Sequence, residues 1–234
     1  MALPKLNTPT YELELPSTGE KIKYRPFLVK EQKLLLMAQE GANEQDIARA
    51  MGDLVSSCTF GKIDSQTAPL FDVEYLFLRI RGKSVGETVE LNVTCPDDGK
   101  TTIKIKVNME DIEVNMLDEH TNEIQLLENC KIIFRYPILS DMYDIKGGND
   151  VESMFQLMNS CVNEIHYGDD VYRKADMTEK DIGEFIDQLT GEQFDKITSF
   201  FNSMPKVRHA IEVTNPITKK KSELVLEGMQ SFLG

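Results

Sequence analysis

The chain contains no tryptophan, three histidines and four cysteines among its 234 residues. His120, His166 and His209 stand in no His-Glu-x-x-His or other metal-ligand spacing, so each reads as a surface or turn residue rather than a general base. Gly82-Lys83-Ser84-Val85-Gly86 has the Gly-x-Ser-x-Gly spacing but follows a helical stripe instead of a strand, so it is not a nucleophile elbow. A phosphate-cradling glycine loop is absent, because Gly147-Gly148-Asn149 lacks the lysine and the preceding strand, and reads as a loop with Asn149 as helix cap. Cys58, Cys95, Cys130 and Cys161 are scattered, which argues against a disulfide framework and for a reducing compartment. Cys58 and Cys161 fall on apolar helical faces, where a thiol acts as a small hydrophobe. No stretch approaches the ~20 apolar residues of a membrane span. Residues 1–6 carry no apolar leader core, so the expectation is no membrane and a cytoplasmic origin. Basic residues are also few, 26 against 39 acidic, for a net charge of −13. That balance excludes general nucleic-acid binding, which requires cationic neutralisation of phosphates.

What is present suffices for one large domain or two small ones. Tyr11, Leu13 and Leu15, then Ile22 and Tyr24, alternate about Pro16-Ser17-Thr18-Gly19 and predict a hairpin over 11–24. A helix is expected over about 29–39, stopped by Gly41. Asn43 caps a second, with Ile47, Met51, Leu54, Val55 and Cys58 on one face. Asp72 is read as the cap of a third, with Val73, Leu76, Phe77 and Ile80. A hairpin follows over 87–107, then extended chain over 124–136. Val151, Met154, Phe155, Met158, Val162 and Ile165 predict a long helix over 149–165 that packs as core; its methionines also suit an adaptable partner surface. Thr178 with Asp181, and Thr190 with Gln193, form capping boxes of two shorter helices. Pro205 ends the second, and a hairpin over 207–226 leads to a short tail. Strands grouped in hairpins rather than alternating with helices predict an α+β fold of antiparallel hairpins packed with amphipathic helices. The expected halves are residues 1–112 and 113–234, each ending in a hairpin, or one compact domain containing both.

A repeat links those two hairpins. Val93-Thr94-Cys95-Pro96-Asp97-Asp98-Gly99-Lys100 recurs without a gap 120 positions on as Val213-Thr214-Asn215-Pro216-Ile217-Thr218-Lys219-Lys220, and Met109 recurs as Met229. The spacing is that of a zinc knuckle, in which Cys-x-x-Cys on a tight turn supplies half of a tetrahedral site. Here the four ligand positions are Cys95, Asp98, Asn215 and Thr218. One thiolate among them is a poor zinc set, so no metal or cofactor is expected, and the hairpins are expected to hold by packing of Val93, Ile103, Ile105, Val213 and Val225.

The paired carboxylates Asp97-Asp98, Asp118-Glu119 and Asp169-Asp170 are what a polymer-degrading hydrolase would need in a cleft. Adjacent aspartates are also what turns favour, and Asp169-Asp170 after Tyr167-Gly168 reads as a hairpin turn. Lys219-Lys220-Lys221 reads as a solvated hairpin tip.

Three segments together resemble the phage-T4-type baseplate hub subunit family. They are the helix and Ile-Arg-x-x-Ser-x-Gly run from Phe71 to Glu87, the stretch from Glu184 through Phe194, Ile197 and Phe200 to Pro205, and the final hairpin ending Leu226-Glu227-Gly228-Met229. The resemblance spans most of 20–234. It implies a non-enzymatic component or assembly factor of the central hub of a contractile-tail baseplate. Such a protein is made in the bacterial cytoplasm, then retained in the virion or released as an assembly chaperone. Its partners would be other tail or hub proteins, with no small-molecule substrate and no catalytic residues. Members of the family often carry Cys-x-x-Cys at both hairpins, from which this chain departs. The apolar tail residues Met229, Phe232 and Leu233 are too few to form a core of their own; they are expected to bind the partner, with Met229 and Phe232 folding back on the final hairpin as the equal alternative.

Overall fold

The structure, a computed structural model, describes residues 7–41, 43–144 and 150–232. These form an α+β fold of seven helices and eleven strands in small antiparallel sheets. In chain order they are β1 (Tyr11–Glu14), β2 (Lys21–Tyr24), α1 (Val29–Glu40), α2 (Glu44–Cys58), α3 (Leu70–Val85), β3 (Thr88–Thr94), β4 (Thr102–Asn108), β5 (Glu113–Asn115), β6 (Glu123–Leu127), β7 (Cys130–Phe134), α4 (Leu139–Asp144), α5 (Asp150–Cys161), β8 (Val162–Tyr167), β9 (Asp170–Arg173), α6 (Glu179–Asp187), α7 (Gly191–Ser203), β10 (Lys206–Thr214) and β11 (Lys221–Glu227). Short 3-10 turns follow β4 at Met109–Asp111, β9 at Lys174–Asp176 and β11 at Met229–Phe232. Asn149 and its two preceding glycines lie outside the described residues.

The chain divides into two compact units, Met1–Asn115 with Lys206–Gly234, and Met116–Pro205. This differs from a cut at residue 112. The last hairpin joins the first unit because β10 pairs with β5 as well as with β11, through Val207 opposite Val114. Val207, Leu226, Met229 and Phe232 are buried in that unit's core.

In the first unit α3 is the axis. Phe71, Val73, Leu76, Phe77, Leu78 and Ile80 are all buried, as in a helix that is apolar all round. Its N-cap is Pro69, not Asp72. Asp72 lies one turn inside, where its carboxylate accepts the Ser17 N–H at 3.1 Å and the Ser17 hydroxyl, fastening the β1–β2 turn to the helix. Asn43 caps α2 as its sequence predicts, accepting from the Gln45 N–H at 3.1 Å. Gly82 lets Met109 approach, since a Cβ there would stand 3.2 Å from the Met109 Cβ.

In the second unit β6-β7-β8-β9 form one sheet. Its core contains Ile132, Phe134, Met158, Ile182, Ile197 and Phe200. The long helix expected over 149–165 stops at Cys161. Val162 and Ile165 belong instead to β8, paired with Phe134 and Ile132. Val162 and Ile165 stand three apart yet both reach the core, because the β7–β8 register shifts between Ile133 and Phe134, so the strand keeps a spacing that also reads as helical. Met158 is fully buried and Met154 packs on the same core. Both capping boxes form, at Thr178/Asp181 and Thr190/Gln193.

Both units open on one plan. After β2, the Arg25 N–H donates to the Cys58 carbonyl at 3.0 Å, and its guanidinium reaches the Pro26 carbonyl and Glu31 Oε1, each at 3.0 Å. Glu31 in turn accepts the Leu28 N–H at 2.7 Å. After β7, the Arg135 N–H donates to the Cys161 carbonyl at 2.8 Å, and its guanidinium reaches the Tyr136 carbonyl at 3.0 Å and Asp141 at 2.6 and 2.9 Å. Asp141 accepts the Ile138 N–H at 2.8 Å. In each case an arginine and an acid six positions on tie a hairpin to the start of one helix and the end of the next. Along the chain each plan then runs through a further helix, α3 or α7, into a hairpin and a 3-10 turn. Only the second carries an extra segment, β8, β9 and α6, between its Cys161 and its last helix.

Candidate functional site

Cys95 and Asp98 on the β3–β4 turn, and Asn215 and Thr218 on the β10–β11 turn, lie in the first unit, where the two turns meet through Asp97, Asp98, Asn215 and Thr218. Asn215 is buried, and its Nδ2 donates to Asp97 Oδ1 at 2.9 Å and to Asp98 Oδ2 at 3.0 Å. Its Oδ1 accepts from the N–H groups of Ile217 at 2.8 Å and Thr218 at 3.2 Å. The Thr218 hydroxyl donates to Asp97 Oδ2 at 2.5 Å. Asp98 closes its own turn, accepting from the N–H groups of Lys100 and Thr101 at 2.9 and 3.0 Å and from the Thr101 hydroxyl at 2.5 Å. Cys95 is wholly buried and makes the base of the turn, its carbonyl accepting from Gly99 at 3.0 Å.

The electrostatics follow from those bonds. Donors from Thr218 and Asn215 hold Asp97 below the usual carboxylate range, and donors from Thr101, Lys100 and Asn215 do the same for Asp98. Desolvation, then the charges of Asp97 and Asp98, push the Cys95 thiol up. Two ionised acids with occupied lone pairs are unsuited to donating a proton, and a thiol kept protonated is a poor nucleophile. The geometry is that of a clasp between hairpins. Among the described residues no group of three or more His, Cys, Asp or Glu could hold a metal ion.

The clasp turns share their build with a third turn that the repeat does not reveal. In β1–β2, Gly19 donates to the Leu15 carbonyl at 2.8 Å and Glu20 donates to Thr18 Oγ1 at 3.2 Å. The same two bonds run from Gly99 to Cys95 and Lys100 to Asp98, and from Lys219 to Asn215 and Lys220 to Thr218. The fifth residue is left-handed each time, with φ of 68° at Gly19, 62° at Gly99 and 63° at Lys219. Leu15, Cys95 and Asn215, each followed by proline, are the buried first residues. That proline, with Ser, Thr or Asp behind it and Gly at the fifth place, is the signal that would have found the first copy.

A family model for the T4 bacteriophage base plate protein matches residues 8–234. The chain belongs to that family. No curated protein and no solved structure matches it.

The other residues marked in this base plate protein lie elsewhere. The register of the last hairpin slips by one from the gapless repeat, because six residues separate Thr214 from its partner Lys221 where seven separate Thr94 from Thr102. Leu224 and Leu226 therefore take the places of Ile105 and Val107, and Val225 faces solvent instead of the core. Met229 and Phe232 are core residues, not a free surface. The Met229 N–H donates to Glu74 Oε1 at 3.2 Å and the Phe232 carbonyl accepts from Arg81 at 3.4 Å, both on α3. Leu233 lies outside the described residues.

Tyr167 pairs with Asp170 across a tight turn at Gly168, so Asp169-Asp170 is the hairpin turn expected. Asp118 and Glu119 are exposed on the link into β6. His120, expected at the surface, is half-buried between Tyr136 and Phe200, its Nδ1 3.0 Å from Ser203 Oγ. Desolvation lowers its pKa. Among the described residues no helix is long and apolar enough to cross a membrane.

Proposed function

We propose that this base plate protein is a non-enzymatic component or assembly factor of the baseplate hub of a contractile tail, made in the host cytoplasm and acting by contact with other tail proteins. The family match across residues 8–234 carries the reading. Two features support it. The Asp97–Asp98 pair is spent on bonding one hairpin to another, and Asp169–Asp170 forms the β8–β9 hairpin turn. Large apolar side chains also stand in solvent on well-formed elements, including Leu34, Leu36 and Met37 on α1 and Tyr167 and Tyr172 on the β8–β9 hairpin. Exposed groups of this kind mark contact surfaces.

Affinity purification of the tagged chain from infected cells, with mass spectrometry of purified virions and of lysate, tests the proposal. Hub or other tail proteins are expected among those recovered, and the virion fraction decides between component and assembly factor. Recovery of the chain alone from both sources would overturn it. So would turnover of peptidoglycan or another cell-wall polymer that is lost on Asp169→Asn or Asp97→Asn.

A further inference from the structure

The segment that only the second plan carries, from β8 through α6, has a sequence and surface unlike the rest. Residues 162–190 hold eight acidic and three basic side chains. The whole second unit holds 18 acidic and 7 basic residues, a net charge of −11, leaving −2 on the first unit. The acidity of the chain is therefore concentrated in one unit. Within it, β9 has a strand neighbour on one side only among the described residues, and all four of its residues are exposed. A groove of about 550 Å³ lies between the β8–β9 hairpin and α6. It is lined by Ile165, Tyr167 and Tyr172 of the hairpin, Asp176 and Met177 of the link to α6, and Asp181 and Phe185 of α6. Every residue lining it falls within 165–188, inside the added segment. Tyr167 and Tyr172 are 52% and 47% exposed, a large apolar area for a chain to leave in water.

We propose that this groove seats an extended segment of another tail protein that bears lysine or arginine beside apolar residues. The segment lies along β9 with its apolar side chains on Tyr167 and Tyr172 and its cations toward Asp176 and Asp181. The proposal rests on the reading of the protein as a binding component. An unpaired edge strand is a template for an added strand, its backbone groups giving affinity and the side-chain pockets selectivity. Charge selects the occupant. A surface of −11 attracts a cationic segment and repels a second copy of itself, so self-pairing through β9 is disfavoured. Tyrosines covered at the centre of a contact are among the residues on which binding energy concentrates.

The test uses the full chain and a synthetic peptide alternating lysine with valine and phenylalanine, against a counterpart with glutamate for lysine. The lysine peptide is expected to bind and to weaken as salt rises, and the glutamate peptide not to bind. Tyr167→Ala and Tyr172→Ala are each expected to weaken the lysine peptide by roughly tenfold, the loss typical of an interface anchor. Asp176→Lys, on an exposed 3-10 turn, is expected to weaken it without moving the melting temperature. Should either tyrosine variant unfold, Asp176→Lys decides alone. Equal binding of both peptides, or undiminished binding by folded variants, overturns the proposal. Co-purification from infected cells keeps the two readings apart. If wild type and the Tyr167→Ala, Tyr172→Ala double variant recover tail proteins equally, the groove is not the contact although the protein still binds. If wild type recovers none, the binding reading itself falls.

Discussion

Asn215 donates to Asp97 at 2.9 Å and to Asp98 at 3.0 Å, so one buried amide holds two carboxylates 117 and 118 positions away in sequence. Asn215→Ala removes both charge-assisted bonds and also the acceptor used by Ile217 and Thr218. The expected cost is about 1–3 kcal/mol, read as a lower denaturant midpoint at unchanged slope. A change under about 0.5 kcal/mol, within the range of ordinary surface substitutions, would show that strand pairing alone holds the two hairpins.

The clasp also predicts what would create a metal site. Asp98→Cys, Asn215→Cys and Thr218→Cys, made together with Cys95 in place, put four thiols at the tips of two turns that already touch. Structural zinc takes four thiolates at about 2.3 Å in a tetrahedron. The triple variant is expected to bind one zinc, give a tetrahedral thiolate spectrum with cobalt, and gain thermal stability on loading. Failure to take up metal would mean that the turns meet in a geometry unlike a knuckle pair.

Lys219 occupies the left-handed position, φ 63°, that glycine fills at Gly19 and Gly99. A side chain there costs roughly 1 kcal/mol. Lys219→Gly is expected to raise the melting temperature by a few degrees, and Gly99→Lys to lower it by a similar amount. A fall on Lys219→Gly would mean that the added freedom of the unfolded chain outweighs the relieved strain.

Much of this was legible in the sequence. The hairpins, the Asn43 cap and the two capping boxes are local, and local chemistry fixed them. The clasp positions were legible through the repeat, although the bonds between them were not. What failed was decided by distant partners. Val162 and Ile165 continue a helical stripe, yet they pair with β7. Val225 continues the repeat, yet a one-residue shorter turn rotates it outward. The arginine–acid ties at Arg25–Glu31 and Arg135–Asp141 share an aromatic-Arg-x-x-apolar-apolar-x-acid spacing, too short a pattern to stand out until the matching bonds are seen.

The burial of Met229 and Phe232 reverses one expectation about the tail. Deleting residues 229–234 is expected to destabilise the first unit, because removing a fully buried Phe and a nearly buried Met costs several kcal/mol. Circular dichroism melts should show a loss of at least ten degrees. An unchanged melt, with loss of tail-protein binding, would return the tail to the role of a free docking segment.

Glu74 ties that tail to α3 and makes its attachment depend on pH. Desolvation pushes its carboxyl from an ordinary 4.5 up to about 7, against the opposing pull of the Met229 N–H. Between those two values the folded chain holds a proton that the unfolded chain has released. Stability therefore falls as pH rises from about 4.5 to about 7 and levels off above. The shift corresponds to a loss on the order of 3 kcal/mol. Glu74→Gln keeps an oxygen for the Met229 N–H and removes the buried charge. It is expected to melt higher than wild type at pH 8, to match it near pH 5, and to flatten the decline between them. An equal decline in Glu74→Gln and wild type would assign the pH dependence to other groups and leave Glu74 ionised without cost in the folded protein.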